Sequence, residues 1–189
     1  MRVEDLWGQR WVSCTNPLAQ RYMETAARKQ TLVCLAADMK SIQDLLDLIE
    51  EVGPHIAALK THVDIVDDFS IESWGALVEA ANRHDLLLFE DRKFADIGKV
   101  SQSQMAGVHD IRSWADIVTA HRISGPDIVD GIAAGWADVD REGGVLLLAQ
   151  MSSSGNLLNA NYTEEVISTG SRSSHVIGYI GNEIGRAHV

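Results

Sequence analysis

Short, continuously apolar segments recur along the chain and alternate with amphipathic ones. Six such segments are rich in Leu, Ile, Val and Ala, and they cover residues 31–37, 56–62, 86–89, 115–120, 145–151 and 175–180. An apolar run without polar alternation is typical of a parallel strand that is covered on both faces. The pattern therefore predicts six parallel strands.

Stretches with helical periodicity lie between these runs. Residues 41–52 begin at Ser41, a candidate N-cap, and residues 70–84 carry their apolar side chains on one stripe. Weaker helical patterns cover residues 98–113, 126–137 and 163–168. The repeated order of strand then helix predicts an α/β fold with right-handed crossovers, either an open doubly wound sheet or a (β/α) barrel.

The chain divides into a helical lead-in and one main unit. Residues 1–30 are expected to cover the bottom of the sheet and to carry no chemistry, and residues 31–181 form the barrel domain. No low-complexity tract or linker interrupts that domain, and residues 152–156 are typical of an active-site loop after the fifth strand. Residues 182–189 form an atypical C-terminal tail.

Composition narrows the class of partner. A net charge of −11 and a pI near 4.9 leave no basic face for nucleic acid. Cys14 and Cys34 have neither disulfide-framework nor metal-site spacing, and the N-terminus lacks the apolar core of a secretory signal. No stretch approaches the ~20 apolar residues of a membrane span. We therefore expect a soluble, cytoplasmic protein with reduced thiols and with neither nucleic acid nor membrane as partner.

The third apolar run leads without a turn into a block of charges. Side chains alternate along an extended strand, so Asp91 and Lys93 should point one way while Glu90 and Arg92 point the other. Asp96 should lie in the turn that follows. A carboxylate, an ammonium and a second carboxylate are thus expected to converge, although a solvated strand end is the alternative for such a charged run.

Polar residues also follow the other strands. They are Asp38 after the first strand, Lys60 and His62 at the second, His121 after the fourth and Ser152 after the fifth. In a (β/α) barrel catalytic groups gather at the carboxyl ends of the strands, whereas an open sheet binds ligands near one switch point. The spread over five strands favours the barrel. Taken alone, Asp38 fits an acid near a helix N-terminus as well as it fits a catalytic group. Taken alone, His62 is equally consistent with a structural histidine.

These residues lie in segments that resemble the orotidine 5'-monophosphate decarboxylase family, most closely its eukaryotic branch. The most specific segments are Leu-Lys-Thr-His-Val-Asp-Ile at 59–65 and Phe-Glu-Asp-Arg-Lys-Phe-Ala-Asp-Ile-Gly at 89–98, and shorter ones cover 34–38, 114–116, 151–152 and 176–180. The resemblance extends from about residue 15 to residue 181. It implies a homodimeric (β/α)8 TIM barrel that decarboxylates orotidine 5'-monophosphate to UMP with neither metal nor organic cofactor.

The resemblance also assigns roles to individual residues. It implies that Lys93 protonates C6 of the pyrimidine as carbon dioxide leaves, that Asp91 lies against the departing carboxylate and that Lys60 holds Asp91 and contacts the ribose. It also implies that Asp96 of the partner subunit completes the catalytic set and, like Asp38, holds ribose hydroxyls. The substrate-binding residues implied in this way are Asp38, Lys60, Thr61, His62, Asp91, Asp96, Ile97 and Ser152.

The chain departs from the family pattern in two respects. That pattern continues beyond the sixth strand through a phosphate-binding loop and two further strands, so we expect only about six β/α units here, with open edges on the first and last strands. Three residues also differ, since Val100, Thr119 and Gln150 stand where the family has threonine, asparagine and glutamate.

Three hypotheses of function remain open. The first is decarboxylation of orotidine 5'-monophosphate. The second is a magnesium-dependent relative acting on sugar phosphates, against which the Lys60-Thr61-His62 segment argues. The third is a catalytically inactive chain that associates with a full-length family subunit through the surface around residues 91–105.

Overall fold

The computed structural model describes residues 1–182 and contains one sheet of six parallel strands in the order β1-β2-β3-β4-β5-β6. The strands are β1 (Cys34–Ala36), β2 (Ala58–Thr61), β3 (Leu87–Phe94), β4 (Ile117–Ala120), β5 (Gly144–Leu148) and β6 (Val176–Ile180). Strict sequential order is that of a (β/α) barrel wall, whereas a doubly wound sheet reverses direction at a switch point. The predicted α/β barrel class, with six units forming a half-barrel, is confirmed.

Helices separate the strands, and three more precede them. They are α1 (Val3–Trp7), α2 (Gln9–Ser13), α3 (Pro17–Lys29), α4 (Ile42–Val52), α5 (Ile71–Arg83), α6 (Gly98–Met105), α7 (Asp127–Ala137) and α8 (Ala160–Gly170). Short 3-10 turns cover Gly53–His55, Val63–Ile65 and Ile111–Ser113. Within residues 1–182 no helix combines the length and the apolar character that crossing a membrane requires.

Side-chain caps fix several of these helix starts. The Ser41 hydroxyl accepts a hydrogen bond from the Asp44 amide at the start of α4, and Ser70 and Ser73 form a reciprocal capping box on α5.

The helix predicted over 98–113 is shorter than expected. It ends at Met105, and the chain passes through Asp110 in the left-handed region before a 3-10 turn. The last helix is longer than predicted because Asn159 caps it at residue 160.

The two faces of the sheet pack against different sets of residues. Its outer face packs against the helices through residues such as Leu59, Leu88 and Val118, within one large buried cluster. The inner face carries the alternate residues, and a second, smaller cluster there contains Leu87 and Phe89. The period-2 alternation of a strand thus separates a helix-packed layer from a barrel interior.

Helix α3 covers the amino ends of the strands on the inner side. Leu18 is buried against Ala58, Leu87, Phe89 and Ile117 of the sheet, and Tyr22 packs on the same group. A buried carboxylate, Asp116, accepts hydrogen bonds from Arg21 at 3.1 Å, Arg141 at 2.9 Å and the Leu88 amide at 2.9 Å. Arg21 therefore ties the lead-in helix to the start of β4, and Arg141 and the Leu88 amide bind the same carboxylate.

The inner face is open at both lateral edges. Within residues 1–182, β1 pairs with β2 alone and β6 pairs with β5 alone. Cys34 and Ala36 of β1 are exposed, and every residue of β6 is half-buried, whereas β4 is buried throughout. The open edges predicted for the first and last strands are therefore present. The atypical tail predicted at 182–189 lies, apart from residue 182, outside the described residues.

Candidate active site

Strand β3 is longer than its apolar part and carries the charged block within it. Its pairing with β4 shifts register between Glu90 and Phe94, and Lys93 has a φ of 54°. A left-handed φ is uncommon for a residue other than glycine, and it marks a position held by its surroundings. Despite this distortion, Asp91 and Lys93 lie on the same side, with Lys93 Nζ 2.8 Å from Asp91 Oδ2.

Four further groups surround that pair on the inner face. Lys60 Nζ donates to Asp91 Oδ2 at 3.1 Å, and His62 Nε2 lies 3.6 Å from the same oxygen. Asp38 Oδ1 is 3.8 Å from Lys60 Nζ and 3.9 Å from His62 Nε2. The fourth group is the Thr119 hydroxyl, which donates to Asp91 Oδ1 at 2.8 Å. Asp38, Lys60, His62, Asp91, Lys93 and Thr119 are called the charge cluster below.

Asp91 is the centre of this cluster and remains ionised. Its side chain is only 12% exposed. Burial alone raises the pKa of Asp91, but hydrogen bonds from Lys93, Thr119 and Lys60 outweigh burial and hold that pKa below its usual value. The site therefore keeps one carboxylate between two ammonium groups.

Glu90 and Thr61 lie on the opposite, outer face of the same two strands. Thr61 Oγ1 donates to Glu90 Oε2 at 2.8 Å, and the Val63 amide donates to both Glu90 oxygens at 3.1 Å. Glu90 is fully buried, and burial raises its pKa to about 8 against the opposing hydrogen bonds from Thr61 and Val63. Thr61, which the family resemblance assigns to substrate binding, is buried on the helix side, and its hydroxyl donates to this carboxyl.

Asp96 does not join the charge cluster within the chain. Its Oδ1 accepts from the Ile97 amide at 2.8 Å, its side chain is exposed, and no ion pair links it to another described residue. The convergence expected for Asp96 is not seen within one chain: β3 ends at Phe94, and Asp96 lies beyond it in the connection to α6. Ile97 is likewise exposed, and Ser152 lies exposed in the loop after β5.

Two residues near Lys93 were given no role in the predicted site, although His121 was predicted to follow the fourth strand. Thr119 is fully buried, and its place on the inner face follows from the alternation along β4, two residues after Ile117. His121 follows the same strand, and both burial and the positive charge of Lys93 lower its pKa. The alternation of side chains between the two faces of β4 is the sequence signal that predicts Thr119 on the inner face.

One set of described side chains has spacing that could suit a metal ion. Ligand atoms of His62, Asp64 and Glu90 lie within 4.8 Å of one another. The Glu90 oxygens already accept hydrogen bonds from Thr61 and Val63, so this carboxyl group has partners within the chain and needs no metal ion. The spacing alone therefore does not identify a metal centre.

Comparisons with known proteins identify relatives of this chain. The chain is 45% identical over 153 residues to orotidine 5'-phosphate decarboxylase of Mycosarcoma maydis, covering 80% of this chain and 53% of that protein. It is 42% identical over 176 residues to the decarboxylase of Schizophyllum commune, covering 92% and 63% respectively. The chain thus spans about half to two thirds of the length of these relatives.

Solved structures give the same fold. The orotidine 5'-monophosphate decarboxylase of Methanocaldococcus jannaschii matches with a TM-score of 0.60 at 20% identity, covering 73% of this chain and 64% of that one. UMP synthase of Leishmania donovani matches with a TM-score of 0.56 at 23% identity, covering 75% and 32%. The model of the Orotidine 5'-phosphate decarboxylase / HUMPS family matches residues 31–189. The chain therefore belongs to the orotidine 5'-phosphate decarboxylase / HUMPS family.

Proposed function

We propose that this chain carries the catalytic centre for decarboxylation of orotidine 5'-monophosphate to UMP. The observation that carries the proposal is the arrangement of Lys60, Asp91 and Lys93, in which one largely buried carboxylate accepts from two ammonium groups at 3.1 and 2.8 Å. The family membership and the names of the curated relatives support the same substrate.

The chemistry follows from where the charges lie. The bond between C6 of the pyrimidine and its carboxyl carbon breaks, carbon dioxide leaves, and the electron pair stays on C6. Asp91, kept anionic by its hydrogen bonds, lies beside the substrate carboxylate and disfavours the bound ground state. The Lys93 ammonium stabilises the C6 carbanion and then donates its proton to C6, which gives UMP. The chain's own side chains thus supply both the electrostatic stabilisation and the proton.

Substrate binding is assigned to the rim of the same cluster. Asp38 and Lys60 face the ribose hydroxyls, and His62 lies between them, within 3.9 Å of Asp38 and 3.4 Å of Lys60. Ser152, in the exposed loop after β5, contacts the pyrimidine edge once the substrate is bound. Thr61 supports the site indirectly, because its hydroxyl is committed to Glu90.

The exposed position of Asp96 supports a homodimer in which each site is shared. Ile97, Val100 and Ile123 are apolar and exposed, and Ser124 donates to the Asp96 carbonyl at 2.8 Å, which joins the loop after β4 to the segment before α6. An exposed apolar surface beside polar residues is typical of a subunit interface. We therefore assign the ribose contact of Asp96 to the partner subunit's site.

Mixing two inactive variants tests the shared site. Lys93→Ala and Asp96→Ala should each be inactive alone, whereas their mixture after subunit exchange should recover about a quarter of the wild-type activity, because half of the dimers then hold one intact site. Sedimentation of each variant checks that both are dimeric. Dimeric variants whose mixture stays inactive would show that Asp96 does not act across the interface.

The proposed reaction is tested by carbon dioxide release from carboxyl-labelled orotidine 5'-monophosphate. Lys93→Ala should lower kcat by about 1000-fold or more, because it removes both the proton donor and a preorganised positive charge. Lys40→Ala removes an exposed lysine outside the charge cluster and serves as the matched control.

Each alternative function makes a different prediction in the same assay. Activity that a chelator abolishes would favour the magnesium-dependent relative. Folded protein without turnover, which co-purifies with a full-length family subunit, would favour the catalytically inactive chain. Turnover that resists chelator and depends on Lys93 supports the decarboxylase.

A further inference from the structure

The backbone of β3 is distorted at the residue that carries the proposed proton donor. Pairing with β4 shifts register between Glu90 and Phe94, and Lys93 has a left-handed φ of 54°. The Lys93 amide therefore has no place in the regular ladder between the strands. It donates instead to Thr119 Oγ1 at 2.8 Å. A side chain of β4 thus takes the position that a backbone carbonyl takes elsewhere in the sheet.

The same hydroxyl reaches the central carboxylate. Thr119 Oγ1 donates to Asp91 Oδ1 at 2.8 Å. A hydroxyl carries one hydrogen to donate and lone pairs to accept, so the two bonds use complementary capacities of one atom. With Oδ1 engaged by Thr119, Oδ2 is the oxygen that faces Lys60 and Lys93.

We propose that Thr119 is a positioning residue whose single hydroxyl sets both the Lys93 backbone and the orientation of the Asp91 carboxylate. Its catalytic consequence rests on the proposed decarboxylase function, whereas its structural consequence does not depend on turnover. Thr119 is fully buried, so no solvent competes for either hydrogen bond.

The identity of the residue fits this role. A side-chain amide would carry its donor and its acceptor on separate atoms. Threonine carries both on one oxygen, which suits two partners that belong to neighbouring positions of the same distorted strand. Its branched β-carbon also restricts the rotation that would move the hydroxyl away.

Two substitutions separate the hydroxyl from the shape of the side chain. Thr119→Val keeps the branched shape and removes the hydroxyl, and Thr119→Ser keeps the hydroxyl. Thr25→Val is the matched control, because Thr25 is also fully buried but lies on α3, where it accepts from Arg28. Thr119→Ala repeats the deletion with a smaller side chain, should the valine variant not fold cooperatively.

Amide hydrogen exchange of Lys93 and titration of the Asp91 carboxyl, both by NMR, report on the two bonds without requiring activity. In Thr119→Val we expect exchange of the Lys93 amide to accelerate about tenfold, because the net contribution of one hydrogen bond is lost. The pKa of Asp91 should also rise toward its usual value while its other charged neighbours, Asp38, Lys60, His62 and Lys93, stay in place. Thr119→Ser and Thr25→Val should retain the wild-type values.

Unchanged Lys93 exchange and unchanged Asp91 titration in the hydroxyl-free variants would overturn the proposal. Equal damage in Thr119→Ser and Thr119→Val would overturn it too, because the hydroxyl would then not be the cause. If the wild-type chain decarboxylates its substrate, Thr119→Val should lower kcat with little change in KM. A chain without turnover would refute the proposed function but leave the two NMR tests able to decide the role of Thr119.

Discussion

Replacing Asp91 by asparagine should abolish decarboxylation and also destabilise the fold. The amide keeps the shape of the side chain but removes the negative charge that Lys60 and Lys93 share at 3.1 and 2.8 Å, which leaves Asp38, 3.8 Å from Lys60 Nζ, as the remaining carboxylate of the charge cluster. We expect kcat to fall by about 1000-fold or more, since a preorganised charge at the reacting centre is lost. The free energy of unfolding should fall by about 1 to 3 kcal/mol, because two like charges remain close together in a half-buried site.

Steady-state carbon dioxide release and urea unfolding at one pH measure the two effects. Asp47→Asn, at an exposed carboxylate on α4, is the control for loss of one negative charge. An Asp91→Asn variant that turns over at the control's rate would remove Asp91 from the mechanism. A variant that is inactive yet as stable as the control would separate its catalytic contribution from its structural one.

Glu90→Gln should make the protein less sensitive to alkaline pH. Burial raises the pKa of Glu90 in the folded chain to about 8 from an ordinary value of 4.5. Its contribution to stability is therefore complete below about pH 4.5 and falls as pH rises through the folded pKa, because the unfolded chain loses this proton first. Glutamine cannot ionise, so the stability of the variant relative to wild type should rise by about 3 to 5 kcal/mol between pH 4.5 and pH 9.

Urea unfolding at pH 5, 7 and 9 checks this prediction. Glu50→Gln provides a control of opposite sign, because hydrogen bonds from His84 and Arg83 lower the pKa of the exposed Glu50 carboxyl. That variant should gain nothing as pH rises. Parallel pH profiles for wild type and Glu90→Gln would show that Glu90 does not hold its proton near neutral pH.

The sequence predicted the elements that depend on local periodicity. Continuous apolar runs identified all six strands, and alternation placed Asp91 and Lys93 on one side of β3. A lysine among apolar residues also needs a carboxylate partner, because a buried ammonium is costly, and Asp91 Oδ2 lies 3.1 Å from Lys60 Nζ. These inferences hold because each needs only an extended backbone and the chemistry of one side chain.

Other parts of the site depend on backbone distortion or on partners distant in sequence. The left-handed conformation at Lys93 has no local signature, and neither does the position of Asp96 beyond the end of β3, outside the charge cluster. The Thr61 hydroxyl binds Glu90 across neighbouring strands, and this pairing follows from the sheet register rather than from spacing. Which buried groups share a hydrogen bond is therefore decided by tertiary structure.

The attachment of α3 at the amino ends of the strands has a practical consequence for engineering. Asp116 and its two arginines lie at the opposite end of β4 from Thr119 and the charge cluster. Substitutions there that do not touch the inner face can raise or lower thermal resistance while leaving the catalytic geometry alone. The amino-terminal end of this sheet is therefore the place to begin a stabilising library, and the carboxyl-terminal end is the place to begin one for altered specificity.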